Sequence, residues 1–309
     1  MPTIRTPNGE FTQVFKGLFE TFSTLDYADR LQTDAKLTQY VQTINRKYRK
    51  EPLVITDNAR IQPKAIQADN RVLIALSGGK DSLASALKLQ QQGYEVEFYH
   101  VLGINRSYTN EWKASKRIAN KVGRRIGFGK VIQEGRGDFA ENPTKNALIL
   151  AMMVDYGLRN GITKYSMGSA LDGTLDTLDK MNSLSDAVEL YHMLEEYYQT
   201  YIPAFKLLNT IQNEKESYQV ILEADADLLK YTSSCMAPYR FQKNLRRQNS
   251  AKYGMLFTKG CGASCYKCAH ELLTLDKAGI QPITPDVRAK CIQLLKEFDG
   301  VRYSLDTWI

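Results

Sequence analysis

The sequence has no apolar run long enough to cross a bilayer, and residues 1–5 contain no apolar core of a secretion signal. These absences argue against an embedded or exported protein, and we expect it in the cytoplasm. Internal repeats and low-complexity linkers are also absent. The 309 residues suffice for one large core with an appendage or for two modest domains, and 43% apolar and 24% charged residues are typical of globular proteins.

Cysteine is scarce, with five in the chain, and acidic residues are missing from one long segment. In a cytoplasmic protein, cysteines are expected to be thiols or metal ligands rather than disulfides. No Asp or Glu lies between Lys230 and Lys267, whereas six basic residues do: Arg240, Lys243, Arg246, Arg247, Lys252 and Lys259. With a net charge of +7, this pattern predicts a surface near ATP, pyrophosphate or a nucleic-acid backbone, the alternative being a solvated basic face.

Residues 1–68 are predicted to form a helical extension. Apolar residues recur at helical spacing between Phe11 and Phe19, and a second helical pattern at 35–49 runs into the basic segment 46–50. The extension carries no recognisable chemistry. A cap, a dimer element and an RNA-contacting arm are all compatible with it.

From Arg71 onward, strand and helix patterns alternate, which predicts an α/β fold with a doubly wound parallel sheet. The predicted strands cover 71–76, 95–102, 130–133 and 164–167, and the predicted helices cover 82–91, 110–126 and 142–159. Ligands of such sheets bind beyond the carboxyl ends of the strands. We therefore expect the loops at these ends, 77–82, 103–106 and 168–169, to surround one site.

After Gly168 the pattern changes to a polar segment with aspartates at 172, 176 and 179, which predicts a loop or short helix over the site at 172–186. Further elements are predicted in the remaining chain: helices at 186–199, 214–229 and 285–298, and an extended piece at 201–205. We divide the chain into the extension (1–68), an ATP-binding α/β domain (69–205) and a C-terminal helical region with the metal site (206–309).

Residues 77–82 read Ser-Gly-Gly-Lys-Asp-Ser directly after an apolar strand. The glycines allow positive φ and close backbone approach, and Ser77, Ser82 and the free N–H groups of the next helix are expected to point at an anion. A Walker A loop is excluded, because it needs Gly where Ile74 stands and Ser or Thr where Asp81 stands. An aspartate beside phosphate indicates Mg²⁺ between them. The alternative is an ordinary glycine-rich turn.

Four cysteines in the last third of the chain have a spacing that can surround one metal ion: Cys235, Cys261, Cys265 and Cys268. Closely spaced thiolates with a fourth brought in by the fold are typical of a closed, structural zinc site. Three alternatives stay open, namely His270 in place of one cysteine, an iron–sulfur cluster, and unrelated free cysteines. Cys291, within a predicted helix, is expected to be a small buried apolar side chain.

The loop resembles the SGGxDS pyrophosphate-binding loop of the N-type ATP pyrophosphatase superfamily, whose members split ATP between its α and β phosphates and transfer AMP to a substrate oxygen. The resemblance implies an adenine nucleotide alpha hydrolase-like fold that binds ATP with Mg²⁺. It assigns the pyrophosphate to Ser77, Gly78, Gly79, Lys80, Asp81 and Ser82. It assigns the adenosine to Val101, Gly103 and Gly168.

Within that superfamily, the motif order is similar to the 7-cyano-7-deazaguanine synthase family of queuosine-precursor synthesis. The family's proline-containing helix start is matched at 142–146, its strand ending in glycine at 165–168, and its Thr/Ser–Cys segment at 232–235. The similarity covers roughly residues 70 to 275. The sequence departs from the family in the cysteine spacing and in the substrate-side motifs, which have no counterpart at 103–106 or 172–186.

The resemblance implies an AMP-forming carbon–nitrogen ligase that activates a carboxylate or amide oxygen and transfers ammonia, converting 7-carboxy-7-deazaguanine to its amide or nitrile. It implies catalytic roles for Lys80 and Asp81, with Lys145 and Arg106 at the α-phosphate or at an anionic group of the substrate. Since residues 1 and 2 are Met and Pro, we expect no glutaminase activity from an N-terminal cysteine, and we expect free ammonia or a partner to supply the nitrogen.

Other functions stay open. A tRNA-modifying enzyme that uses adenylation followed by sulfur transfer is favoured by basic residues 46–50 and 239–252, which would contact nucleic acid. A ligase for another small carboxylate and a zinc-stabilised binder without turnover are further alternatives. We expect no membrane partner, and a homodimer is compatible with the sequence.

Overall fold

The computed structural model describes residues 3–5, 30–33, 54–57, 69–102, 109–132, 145–169, 188–211, 214–232, 266–277, 279 and 281–297. The strands in these ranges are β1 (Thr3–Arg5), β2 (Arg30–Thr33), β3 (Val54–Asp57), β4 (Arg71–Ala75), β5 (Glu95–Leu102), β6 (Ile126–Ile132), β7 (Lys164–Ser166) and β8 (Lys206–Leu207). The α-helices are α1 (Lys80–Gln91), α2 (Thr109–Val122), α3 (Lys145–Arg159), α4 (Val188–Tyr201), α5 (Glu214–Asp225), α6 (Tyr266–Lys277) and α7 (Pro285–Glu297), and a 3₁₀ helix covers Ala226–Tyr231.

Six of these strands form one sheet in the order β1-β6-β5-β4-β7-β8. The strands from β6 to β8 are parallel to their neighbours, and β1 pairs with β6 in antiparallel orientation. β4 is central, with Ile74 opposite Phe98 of β5 on one side and Ser166 of β7 on the other. β2 and β3 form a separate parallel pair. The predicted α/β fold with a parallel sheet is therefore confirmed.

The apolar run of β4 explains its central position. Val72, Leu73 and Ile74 are all fully buried, as expected for a parallel strand covered on both faces. Along the strand, Val72 and Ile74 alternate with Leu73 and so share one face of the sheet. That face packs against buried residues of α1, α2, α5 and the 3₁₀ helix in one continuous core.

This core crosses the expected domain boundary at residue 205. Ile211, Tyr218 and Ile221, which follow the boundary, lie in the same buried cluster as Leu83 and Leu87 of α1. β8 also follows the boundary and pairs with β7. Residues 206–232 thus complete the α/β core, because α5 covers α1 directly.

A smaller apolar cluster joins α6 and α7. Ala269 and Leu272 of α6 pack against Cys291, Leu294 and Leu295 of α7. Cys291 is fully buried, so the prediction of a small buried apolar side chain at this position is confirmed. The thiol pKa is raised to about 11 by burial and by the nearby Asp276 carboxylate.

The element bounds differ from the expected ones where a glycine or a sharp change of direction intervenes. The helix expected at 110–126 ends at Val122, because Gly123 adopts a φ of +68° and Ile126 already begins β6. The piece expected to be extended at 201–205 instead contains the last residue of α4, and the strand follows at Lys206. The helix expected at 214–229 is α-helical only to Asp225 and then continues as 3₁₀.

The helical extension predicted for residues 1–68 is represented in the structure by β1, β2 and β3 alone. The two helical patterns, between Phe11 and Phe19 and at 35–49, lie outside the described residues. The segment 172–186 lies outside them too. Among the helices that are described, none combines the length and apolar character needed to span a membrane.

Cys291 provides a test of this packing. In the native protein we expect iodoacetamide at neutral pH to leave Cys291 unlabelled, because its thiol is buried and its thiolate fraction is small at a pKa of about 11. Peptide mass spectrometry before and after denaturation in urea measures this, with labelling appearing only after denaturation. Equal labelling in both states would contradict the described burial.

Candidate functional site

The sheet order places a crevice between β4 and β7. Counting the parallel strands from β4, the chain adds β5 and β6 on one side and then returns to add β7 and β8 on the other. In open α/β sheets, ligands bind at such a reversal, outside the carboxyl ends of the two strands. The segments at those ends are residues 76–79 after β4 and 167–169 after β7.

Gly168 brings these two segments into contact. It adopts a φ of +63°, and a Cβ added there would lie 2.7 Å from the Ser82 Cβ and 2.9 Å from the Ala75 carbonyl oxygen. Only glycine fits such a close approach without displacing backbone. The loop after β7 therefore packs directly on the start of α1, as expected for loops that share one site.

The turn from β4 into α1 depends on Gly78. Its φ is +83°, and an added Cβ would lie 2.8 Å from the Ala114 Cβ and 2.9 Å from the Glu111 carbonyl oxygen of α2. The Gly79 N–H donates to the Ser77 hydroxyl at 3.3 Å, and the Ser82 hydroxyl donates to the Gly79 carbonyl at 3.0 Å. The hydroxyls of Ser77 and Ser82 thus form hydrogen bonds within the loop itself. Ser77 is exposed and Ser82 is buried.

The N-terminus of α1 is open to an anion. Gly79 is the N-cap residue and supplies no side-chain hydrogen bond to the first turn. The first backbone N–H groups of a helix have no partner within the helix, and its dipole places partial positive charge there. With the two glycines providing close backbone access, this geometry is suited to bind phosphate groups.

Asp81 and Lys80 face helix α5. The Ser217 hydroxyl donates to Asp81 Oδ1 at 2.7 Å, and Lys80 Nζ lies 3.2 Å from the same oxygen. The Lys80 ammonium is also 5.5 Å from the centroid of the Tyr218 ring. The Lys80 side chain is 6% exposed, whereas that of Asp81 is 35% exposed. Asp81 is the more accessible of the two charged loop residues. Its carboxylate oxygens are of the kind that bind Mg²⁺, and they belong to a loop whose geometry is suited to phosphate.

Two buried polar side chains, His100 and Ser115, hold the end of β4. His100 Nδ1 lies 2.7 Å from the Leu76 carbonyl oxygen, and the Ser115 hydroxyl donates to the same oxygen at 2.9 Å. Burial lowers the pKa of His100, and the hydrogen bond to Leu76 opposes this in part. The ring of Trp112 lies 5.1 Å from the His100 ring. This group fixes the carbonyl immediately before Ser77, so it sets where the loop begins.

The other predicted site residues are only partly within the described chain. Val101 is half-buried near the end of β5, and Lys145 is the first residue of α3, of whose side chain nothing is described. Gly103, Arg106, Cys235, Cys261 and Cys265 lie outside the described residues, and Cys268 lies in α6 without a described side chain. Within the described part of the chain, no group of three or more His, Cys, Asp or Glu side chains is arranged to hold a metal ion. The four-cysteine zinc site stays a prediction.

Three polar residues of this site were not predicted from the sequence: Ser217, His100 and Ser115. No local pattern marks them, since Ser217 reaches Asp81 across 136 positions of sequence. The only available signal was that His100 is a polar residue between Tyr99 and Val101, in the second half of β5.

No protein-family model matches the chain, and a search of curated proteins finds none similar to it. Among solved structures, the chain is similar to a predicted subunit of tRNA methyltransferase from Methanocaldococcus jannaschii, with 16% identity, a TM-score of 0.30, and coverage of 48% of this chain and 73% of that one. It is also similar to NMN synthetase from Francisella tularensis, with 9% identity, a TM-score of 0.36, and coverage of 75% and 88%.

A third similar structure is the NH3-dependent NAD synthetase from Campylobacter jejuni, in complex with the nitrate ion. The identity is 12% and the TM-score 0.34, over 76% of this chain and 89% of that one. Similarity at such low identities and TM-scores does not indicate a function for this chain.

Substitution of Gly78 tests the loop geometry. Gly78→Ala is expected to lower the free energy of unfolding by about 1–2 kcal/mol for the positive φ, and by about 1–3 kcal/mol more for the contacts with Ala114 and Glu111. Gly93→Ala is the matched control, because Gly93 has a φ of +86° with nothing within 4 Å of an added Cβ. Urea denaturation of both variants gives the comparison. Equal losses would show that α2 does not press on the loop.

His100 gives a pH dependence with a defined sign. Since its pKa is lowered in the folded state, the unfolded chain binds more protons below the ordinary value of 6.5, and the stability contributed by neutral His100 is lost as the pH falls through that range. We expect the free energy of unfolding to decrease from about pH 7.5 to about pH 5.5, with a smaller slope in His100→Gln. Urea denaturation at several pH values measures both slopes. Identical slopes would contradict a buried neutral His100.

Proposed function

We propose that the chain is an ATP-dependent ligase that adenylates a carboxylate or amide oxygen of its substrate and, after activation of a carboxylate, joins ammonia to the acyl carbon. The observation that supports this most is the Ser-Gly-Gly-Lys-Asp-Ser loop at the point where the strand order reverses. Gly78 packs closely against α2, Gly168 packs closely against the start of α1, and no side chain caps the α1 N-terminus. In this proposal the fold is that of the adenine nucleotide alpha hydrolases and the loop belongs to the N-type ATP pyrophosphatases.

The loop's chemistry fits departure of pyrophosphate. A substrate oxygen attacks the α-phosphorus of ATP, the bond between the α-phosphorus and the bridging oxygen breaks, and pyrophosphate leaves with the negative charge. Residues 77–82 stabilise that growing charge through backbone N–H groups and the helix dipole. Mg²⁺, when bound at Asp81, supplies additional charge neutralisation. Ammonia then attacks the acyl carbon, AMP leaves, and loss of a proton gives the amide. The nitrile would require a second ATP, which adenylates the amide oxygen so that loss of AMP and a proton forms the C≡N bond.

The contacts of Lys80 favour an electrostatic role at the pyrophosphate site without direct contact with the reacting atoms. Its ammonium lies beside Asp81 and the Tyr218 ring and is nearly buried, so its charge acts on the pyrophosphate site from within the protein. For contact with the α-phosphate or the anionic group of the substrate, we propose Lys145 and Arg106. The adenosine is proposed to lie against Val101, Gly103 and Gly168, at the ends of β5 and β7.

The substrate we propose is 7-carboxy-7-deazaguanine, converted to its amide or nitrile in deazaguanine synthesis. The support is the motif order at 142–146, 165–168 and 232–235. We further propose a cytoplasmic enzyme with a structural zinc ion on Cys235, Cys261, Cys265 and Cys268. No step of the reaction passes through that zinc ion.

A second candidate is a tRNA-modifying enzyme that uses the same adenylation and then transfers sulfur. Basic residues 46–50 and 239–252 favour it, because Lys and Arg clusters bind phosphate backbones. This candidate and the ligase share the loop, and they differ in the group that accepts AMP. Homodimers are compatible with both.

The deciding experiment incubates the protein with ATP, Mg²⁺, ammonium and 7-carboxy-7-deazaguanine and follows nucleotides and base by mass spectrometry. We expect AMP, pyrophosphate and a product lighter than the acid, with a further loss of water if the nitrile forms. AMP formation that requires tRNA instead of the acid would favour the second candidate. Absence of AMP with either substrate would contradict both of these substrates and favour a ligase for another small carboxylate.

Asp81→Ala is expected to reduce pyrophosphate release by at least about 100-fold with the fold unchanged, because it removes the carboxylate proposed to hold the Mg²⁺ that neutralises charge on the leaving pyrophosphate. Asp227→Ala is the matched control, since Asp227 pairs with Lys230 on the exposed surface. A pyrophosphate-release assay with circular dichroism measures both. Full activity in Asp81→Ala would remove Asp81 from the mechanism.

The metal proposal has its own measurement. Cys265→Ser is expected to lose bound zinc and to unfold at lower denaturant concentration, because structural zinc binding is coupled to folding. Elemental analysis of purified protein gives the zinc content, and Cys291→Ala is a control cysteine outside the proposed ligands. Retained zinc and unchanged stability in Cys265→Ser would contradict the assignment.

A further inference from the structure

Helix α5 contributes a buried hydroxyl to the loop carboxylate. Ser217 is fully buried, and its hydroxyl donates to Asp81 Oδ1 at 2.7 Å. A hydrogen bond from a hydroxyl to a carboxylate is charge-assisted and stronger than one between neutral groups. Asp81 keeps 35% of its side chain exposed, so one end of this contact is anchored in the core while the other faces the site.

The position of α5 relative to α1 is fixed by further polar contacts. Lys88 of α1 forms an ion pair with Glu216 and donates to the Thr210 carbonyl oxygen at 2.7 Å. Tyr218 and Ile221 of α5 belong to the same core as Leu83 and Leu87 of α1. Ser217 therefore sits on a rigid element, which is what the positioning of a ligand group requires.

The Asp81 carboxylate is also constrained by Lys80. Lys80 Nζ lies 3.2 Å from Oδ1 and 3.5 Å from Oδ2. Oδ1 is thus the Asp81 oxygen that accepts from the Ser217 hydroxyl, and it is also the oxygen closer to the Lys80 ammonium. With one oxygen held in this way, the carboxylate cannot rotate freely, and it loses less conformational entropy when it binds a cation.

We propose that Ser217 is a positioning residue that fixes the Asp81 carboxylate for the divalent cation of a cation–pyrophosphate complex. This inference rests on the proposed function, because it assigns a cation-dependent role to the same loop. Ser217 itself touches neither cation nor pyrophosphate. Its effect is transmitted through Asp81, as groups that hydrogen-bond to a metal ligand commonly change metal affinity by about 10- to 100-fold.

The test measures binding of inorganic pyrophosphate to the full chain by isothermal titration calorimetry at increasing Mg²⁺ concentrations. For Ser217→Ala we expect the Mg²⁺ concentration that gives the half-maximal gain in affinity to rise by about 10-fold, with affinity in the absence of Mg²⁺ unchanged. A merely structural role would lower stability without moving the Mg²⁺ dependence, so denaturation in urea is measured alongside. An unchanged Mg²⁺ dependence in folded Ser217→Ala would overturn the inference.

Two further variants sharpen the result. Ser85→Ala is the matched control, because Ser85 is a buried serine of α1 whose hydroxyl has no hydrogen-bond partner among the described atoms, and we expect no shift in Mg²⁺ dependence. Ser217→Cys keeps a weaker donor of similar shape, and we expect a shift smaller than that of Ser217→Ala. If Ser217→Ala does not fold, Ser217→Cys carries the test, and wild-type Mg²⁺ dependence in it would overturn the inference.

A double-mutant cycle shows whether Ser217 acts through Asp81. In an Asp81→Asn background, we expect Ser217→Ala to have no further effect on the Mg²⁺ dependence, because the carboxylate it positions is gone. Equal effects of Ser217→Ala in both backgrounds would overturn the inference and leave the proposed function in place. Wild-type protein that binds no pyrophosphate at any Mg²⁺ concentration would overturn the proposed function and the inference together.

Discussion

The left-handed backbone at Gly78, held against α2, is the constraint on which the site depends. β4 ends in the middle of the sheet, and the chain must turn within four residues to begin α1 directly above it. A side chain at this position would collide with Ala114 and with the Glu111 carbonyl. Every group of the proposed phosphate site, from the Ser77 hydroxyl to the Asp81 carboxylate, takes its position from that turn.

The carbonyl of Leu76 links this turn to the rest of the sheet. It accepts hydrogen bonds at the point where β4 stops pairing, from side chains on β5 and α2, so the loop is supported by two elements besides its own strand. Gly168 adds contact from β7. Three neighbouring elements thus contact the end of β4 and restrain the glycine-rich loop, as a preorganised anion site requires.

Sequence patterns were sufficient where the determinants are local. β5 was predicted with the observed bounds, because the strand begins two residues after the Gly93 turn and ends directly before another glycine. The overrun of α2 past Val122 shows the limit of periodicity, since Gly123 was read as part of a helix that it terminates. The contacts of Ser217 and Ser115 were not predictable, because they join residues brought together by helix packing and carry no motif of their own. The division at residue 205 does not match the hydrophobic core, because α5, which follows that residue, covers α1.

The hydrogen bond between Ser217 and Asp81 also has a consequence for the order of folding. The two residues are 136 positions apart, so during synthesis the loop emerges from the ribosome well before the helix that completes it. Contacts of such sequence separation form late, because the intervening chain loses entropy before they can contribute. A nascent chain that has produced β4, α1 and β5 thus contains the whole glycine loop, including Asp81. It still lacks α5, whose Ser217 holds the Asp81 carboxylate. The Mg²⁺-dependent part of pyrophosphate affinity would consequently appear only after α5 has docked, which makes it a reporter of that docking.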